Sequence, residues 1–199
     1  MTRLILIRHG ETDWNVEGRW QGQIDVPLNA KGHQQAQQVA GSLAHSTISA
    51  IYSSDLSRAY ETAGYLAAQF DLPVQTEVRL REIHQGVWQG LRISEIQSNY
   101  KSRLHSREKR PLQVAPPGGE TVLQVGDRVI SFLTELIPRH PQETVAIVTH
   151  GFVMALLQVL LNHEPFENIW DAIPKSGAWL EYHVTDGDLS QISTRLLNN

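Results

Sequence analysis

Three short runs of branched aliphatic residues, Leu4 to Ile7, Ala50 to Tyr52 and Val145 to Val148, constrain this chain most. Each is too short for a helix core and rich in Leu, Ile and Val, as strands covered on both faces of a parallel sheet are. Each then breaks into polar or glycine punctuation and a helical pattern. After the first, Asn29 is placed to cap a helix in which Ala36, Val39, Ala40 and Leu43 recur on one side. After the second, Asp55 is a candidate cap, with Leu56, Ala59, Ala63, Leu66 and Ala67 sharing a face. After the third, "GFVMALLQVLL" is apolar all round and must be buried. Alternation of this kind predicts an α/β fold, a three-layer α/β/α sandwich with a mostly parallel central sheet and right-handed crossovers. Ala178 to Val184 and Leu189 to Leu196, separated by "TDGD", read as a closing hairpin at a sheet edge.

The middle of the chain is less regular. "KSRLHSREKRP" is a basic stretch, and "LQVAPPGG" cannot continue a helix through its paired prolines. Residues 84–119 are therefore expected to form a lid or insertion, with Lys101 to Arg110 a solvated face or a lid that attracts an acidic metabolite. A helix restarts at "GETVLQVGDRVISFLTELI", with Glu120 near its positively polarised end. At 199 residues, with 41% hydrophobic and 19% charged, residues 1–199 are expected to form one domain. The net charge of -4 argues against nucleic acid and anionic membrane as partners and for a small molecule. The chain has no cysteine, which removes thiolate nucleophiles and Cys-based metal sites, and suits the cytoplasm. "RLILI" is far too short to span a bilayer, and no small-residue cleavage site follows it.

In open α/β sheets, ligands collect outside the carboxyl ends of the strands. Three polar clusters fall at such ends: Arg8-His9-Gly10, Ser53-Ser54-Asp55 running on to Arg58, and Thr149-His150-Gly151. Brought together, they supply two guanidinium groups and two imidazoles, a set that matches a phosphoryl group with charge on three oxygens. An imidazole can attack phosphorus in line and form a phosphohistidine, dividing one difficult hydrolysis into two transfers. His9, nearest its strand end and beside Gly10, is the expected nucleophile.

"LIRHGET", "YSSDLSRAYETA", "LREIHQGVWQG" and "VTHG" together resemble the histidine phosphatase superfamily, which includes the cofactor-dependent phosphoglycerate mutases. The four motifs run in order from Leu4 to about Gly151, whereas "RHG" alone is common by chance. The resemblance also points to His9 as nucleophile, with Arg8, Arg58 and His150 holding the equatorial oxygens, and with no metal or cofactor. It makes Glu82 the proton donor to the leaving alkoxide; Glu11 is the competitor by position. Asn15 and Gln21 lie in the loop that rims the family's phosphate pocket, although each could serve the loop alone. Gly22, His84 and Gly151 complete the expected substrate contacts, His84 because it shares a face with Glu82 on an extended segment. Trp20 and Trp88 read as packing residues. Gln89 stands where family members often carry a glutamate, at a position that is not the acid.

Other chemistries lack their signatures. There is no H-E-x-x-H among the nine histidines, no G-x-x-x-x-G-K-[ST] loop, no G-x-G-x-x-G turn and no G-x-S-x-G elbow. The expected function is metal-independent hydrolysis of a small acidic phosphomonoester, phosphoserine being the first choice. Phosphoglycerate mutase, α-ribazole phosphatase and broad-specificity or sugar phosphatase activities are the enzymatic alternatives. The mutases are typically longer, with an extra segment and tail, which favours hydrolysis. A phosphate-ester-binding regulatory module is the non-enzymatic alternative, and a homodimer is compatible with the resemblance.

Overall fold

A computed structural model describes residues 1–197. In chain order its elements are β1 (Thr2–Arg8), α1 (Asp13–Val16), α2 (Ala30–Ser42), β2 (Ile48–Ser53), α3 (Ser57–Phe70), β3 (Val74–Thr76), α4 (Ile93–Asn99) and α5 (Lys101–Lys109). They continue with α6 (Val122–Leu136), β4 (Thr144–Thr149), α7 (Gly151–Leu161), β5 (Trp179–Val184) and α8 (Asp186–Leu197). The strands form one sheet in the order β3-β2-β4-β1-β5, parallel except for the antiparallel edge strand β5.

The pleat divides each aliphatic run between two cores. Leu4 and Leu6 of β1, with Val145 and Ile147 of β4, face the core built by α6, α7 and α8. Ile5 and Ile7, with Ala146 and Val148, face the one built by α2 and α3. Both faces of the sheet are thus covered, which is why these runs are continuously apolar rather than alternating. The three-layer α/β/α fold is the one expected. Asn29 caps α2 as expected, its side chain accepting from the Gly32 N–H.

Two local expectations are corrected. Residues after β5 form helix α8, not the second strand of a hairpin. Asp188 accepts from both the N–H and the hydroxyl of Thr185 at 2.7 Å, and the Thr185 hydroxyl accepts from the Asp188 N–H. "TDGD" is therefore a capping box rather than a turn between strands. Leu189, Ile192 and Leu196 are spaced for one helical face and are all buried. Gly126 of α6 lets α8 approach: a Cβ there would lie 2.3 Å from Leu196 Cδ2. Asp55, for its part, does not cap α3. It pairs with Arg81 through Nε at 2.7 Å, while Asp25 from a distant loop accepts the Ser57 N–H at 2.7 Å.

Candidate active site

The strand register assembles the site. Arg8 is paired with Thr149 and Ser53 with Val148, so the ends of β1, β2 and β4 lie side by side. The His9 N–H donates to Thr149 O at 3.0 Å, and the His9 carbonyl accepts from the Gly177 N–H at 3.1 Å. The Ser54 N–H donates to Val148 O at 3.0 Å. Gly10 sits so close to α2 that a Cβ would fall 2.4 Å from Gly32 O, and its own N–H donates to the Thr62 hydroxyl. His9 is thus pinned by backbone bonds on both sides, with its ring 2% exposed.

The two imidazoles face each other, ring centroids 5.2 Å apart. His9 Nδ1 lies 2.6 Å from Gly10 O, which can only accept, so Nδ1 carries the proton and Nε2 keeps its lone pair. His150 Nε2 lies 2.9 Å from the Ser54 hydroxyl, whose oxygen already accepts from the Leu56 N–H at 3.4 Å. The Ser54 hydroxyl reaches no other acceptor among the described residues, so its proton goes to His150 Nε2, and the His150 proton sits on Nδ1, which has no partner there. Burial holds both rings well below the ordinary histidine range, reinforced by Arg58 and further by Arg8. One ring offers a lone pair and the other an N–H.

Arg58, from the first turn of α3, is fully buried. Its Nη1 donates to Ile24 O at 2.9 Å and its Nη2 to Gly22 O at 2.7 Å. Burial lowers its pKa to about 10, which leaves it charged at neutral pH. Gly22 can offer that carbonyl because it adopts φ +52, and a Cβ there would collide with Gln89 at 2.3 Å. Gln89 in turn accepts from the Gln23 N–H at 2.8 Å, so the position where family members often carry glutamate shapes a loop. Arg8 donates through Nη1 to Pro174 O, and Gly151 lets the start of α7 pass 3.1 Å from its guanidinium carbon, measured to an ideal Cβ.

Glu82 reaches the same place from an irregular segment. Its carboxylate accepts from its neighbour Ile83 N–H at 2.9 Å and from the Phe152 N–H, at the N-terminus of α7, at 3.2 Å. Its carbonyl is held by Arg128 at 3.1 Å and Gln23 at 3.0 Å.

Arg8, His9, Arg58 and Glu82 line one cleft of about 200 Å³ with Asn15, Arg19, Trp20, Gln21, Gln85, Phe152, Trp170 and Ile173, while His150, fully buried, packs against His9 without lining the cleft. Gly22 and Gly151 line it as well. Asn15 Oδ1 accepts from the Thr12 N–H at 3.0 Å, and Gln21 Oε1 lies 3.1 Å from the Thr12 hydroxyl. Asn15 therefore serves its capping box and the cleft at once. His84 does not line the cleft. Its segment is not a strand, so alternation does not apply. Its Nδ1 accepts from the Gly86 N–H at 3.1 Å, and its own N–H is held by Glu120. Glu11 is bonded instead to Lys31 at 2.8 Å and Asn29 at 3.2 Å, outside the cleft.

Arg19, Gln85, Trp170 and Ile173 were not anticipated. "GRWQG" and "EIHQG" contain the first two, whereas Trp170 and Ile173 follow α7, where motif signal is thin. Trp20, expected to pack, lines the cleft; Trp88 is fully buried and packs on Trp20 at 5.6 Å. Arg107, in the stretch expected to be solvated, is 1% exposed.

Among the described residues, eight buried side-chain nitrogens have no protein partner, and seven belong to residues in or directly behind the cleft. They are Arg8 Nε, Arg58 Nε, His150 Nδ1, Trp88 Nε1, Trp170 Nε1 and two nitrogens of Arg107. A buried donor left unpaired costs about 1–3 kcal/mol, so each of these groups remains costly until an acceptor reaches it.

A fold with a histidine and two arginines converging at these strand ends defines a class, and comparison agrees. Residues 4–194 match the model of the histidine phosphatase superfamily (branch 1), and the chain belongs to that family. It is 36% identical over 170 residues to phosphoserine phosphatase 1 of Hydrogenobacter thermophilus, covering 85% of this chain and 81% of that one. It is 38% identical over 208 residues to a glucosyl-3-phosphoglycerate phosphatase of Mycobacterium tuberculosis, covering 98% and 92%. The solved structure of the mycobacterial glucosyl-3-phosphoglycerate phosphatase with VO3 superposes with a TM-score of 0.84 at 34% identity, covering 94% of each chain. The protein is accordingly a phosphatase of this superfamily.

Proposed function

We propose that this phosphatase hydrolyses a small acidic phosphate monoester, phosphoserine being the leading candidate, through a phosphohistidine at His9 and without a metal. The observation that carries the reading is that the buried, unpartnered N–H groups of Arg8, Arg58 and His150 belong to the residues that act on the His9 ring, whose Nε2 keeps its lone pair. His9 attacks phosphorus in line and breaks the P–O bond to the alcohol. Arg8, Arg58 and the Nδ1–H of His150 hold the three equatorial oxygens, giving the charge stabilisation on which phosphoryl transfer chiefly depends. Because His150 donates as a neutral tautomer, it needs no added proton to do so. Glu82 protonates the departing alkoxide and then takes a proton from the water that cleaves the phosphohistidine. Asn15, Gln21, Gly22 and Gly151 shape the phosphate pocket. Side-chain cations supply the charge that a metal would otherwise bring.

An acidic ester is favoured by the lining. Arg8, Arg19 and Arg58 line the cleft with a single carboxylate, Glu82, and although Arg19 is paired with Glu17 at 2.6 Å, Arg8 and Arg58 have no carboxylate bonded to them among the described residues. The relatives named for phosphoserine and for glucosyl-3-phosphoglycerate are named for esters that both carry a carboxylate. The test is phosphate release from phosphoserine, 3-phosphoglycerate, ribazole phosphate and sugar phosphates with chelator present. Phosphoserine should be turned over fastest and the chelator should have no effect. Activity abolished by the chelator, or a preference for sugar phosphates that lack a carboxylate, contradicts the proposal.

A further inference from the structure

Arg107 lies on α5, in the segment between Glu82 and α6, and its guanidinium is enclosed by three indoles. Its central carbon is 5.5 Å from the Trp20 ring, 5.6 Å from Trp88 and 4.9 Å from Trp170. Its Nη1 donates to Gln85 Oε1 at 2.8 Å, while Nε and Nη2 have no protein partner. Trp20, Trp170 and Gln85 all line the cleft, so the cation stands immediately behind its wall. Among the described residues no carboxylate is hydrogen-bonded to it, although the Glu82 carboxylate of the cleft acts on it electrostatically. A cation this buried is ordinarily paired, and the aromatic faces offset only part of its desolvation.

The bond to Gln85 has a chemical consequence. A guanidinium can only donate, so it must hold the carboxamide oxygen, and the Gln85 NH₂ is the end left for the cleft. That NH₂ has no hydrogen bond to the protein. Asn15 and Gln21 likewise engage Thr12 through oxygen, so the amides around the cleft present donors. Gln85 is separate from the residues assigned to the phosphoryl oxygens, and it is the one backed by a full positive charge.

Resting on the phosphatase reading above, we propose that Gln85, oriented and backed by Arg107, forms a second subsite that selects phosphate esters whose alcohol portion carries a carboxylate. Gln85 touches the ligand. Arg107 is a positioning residue that fixes the amide and contributes its field, while the three tryptophans keep water from screening it.

Matched ester pairs test this: O-phosphoserine against O-phosphoethanolamine, and 3-phosphoglycerate against glycerol 3-phosphate. Within each pair the carboxylate is the group that changes. The unsubstituted protein should favour the carboxylated member, and Arg107→Met should reduce that kcat/KM preference about 10- to 100-fold, through KM. Arg107→Lys should recover part of it. Gln85→Glu, which keeps an oxygen for Arg107 but replaces the donor, should reduce the same preference and serves if Arg107→Met fails to fold. Equal losses on both members of a pair, or no preference in the unsubstituted protein, overturn the subsite. Hydrolysis of p-nitrophenyl phosphate by the unsubstituted protein separates that result from a failure of the phosphatase reading itself.

Discussion

His9 and His150 stand 5.2 Å apart in complementary tautomers, His9 protonated at Nδ1 by its bond to Gly10 O and His150 at Nδ1 by its bond from Ser54. The free nitrogen of one is a lone pair and that of the other a donor. The same burial keeps both rings neutral at neutral pH, so that His9 retains a lone pair and His150 an N–H without added protonation.

That burial has a stability consequence with a definite sign. Both rings titrate well below the ordinary histidine value when folded and at about 6.5 when unfolded. As pH falls below 6.5 the unfolded chain binds protons that the native state refuses, so stability declines. Each ring contributes a slope of up to about 1.4 kcal/mol per pH unit in that window. Denaturant titrations at pH 7.5 and 5.5 should show the loss, and His150→Gln should show a smaller one. An unchanged slope in the variant shows that His150 titrates alike in the folded and unfolded chain, and a steeper one that it is protonated in the native state; either contradicts the account.

The acid role proposed for Glu82 matters only where the leaving group needs a proton. Glu82→Gln should therefore slow hydrolysis of phosphoserine by about 10²- to 10⁴-fold and that of p-nitrophenyl phosphate far less. Steady-state kinetics on the two esters is the measurement. Equal losses remove Glu82 from the acid role.

Arg58 holds two carbonyls with two nitrogens, at 2.9 and 2.7 Å, and its Nε has no partner among the described residues. A lysine ammonium cannot reproduce that fork. Arg58→Lys should lower kcat/KM about 10²- to 10³-fold. Near-normal kinetics in this variant indicate that charge alone, without geometry, suffices.

Leu196 is buried where α8 meets α6 at Gly126. Leu196→Ala should cost about 2–5 kcal/mol in unfolding free energy, as large-to-small core changes do. Chemical denaturation measures it, and a loss below about 1 kcal/mol contradicts the packing described.

The parallel strands and the groups at their ends were legible because both signals are local: a short apolar run, then a polar cluster. Ala178 to Val184 reads as a strand and is one, but Leu189 to Leu196 reads as a strand and is a helix, because "TDGD" suits a turn and a capping box equally, and only burial of Leu189, Ile192 and Leu196 on one face decides between them. His84 was misplaced because alternation presumes a strand, and its segment is irregular. Arg107 was hidden for another reason. Its neighbours in sequence are solvated, whereas its partners Trp20, Gln85, Trp88 and Trp170 are 19 to 87 positions away along the chain, so nothing local reports the aromatic enclosure.

The central claim is that His9 carries the phosphoryl group. Rapid acid-free quench of labelled phosphoserine turnover, followed by peptide mapping, reads it directly. The account predicts an acid-labile, base-stable label on the peptide containing His9, formed and consumed at rates that support turnover and absent in His9→Gln. Phosphate release at full rate with no such label, or a label on another residue, contradicts it.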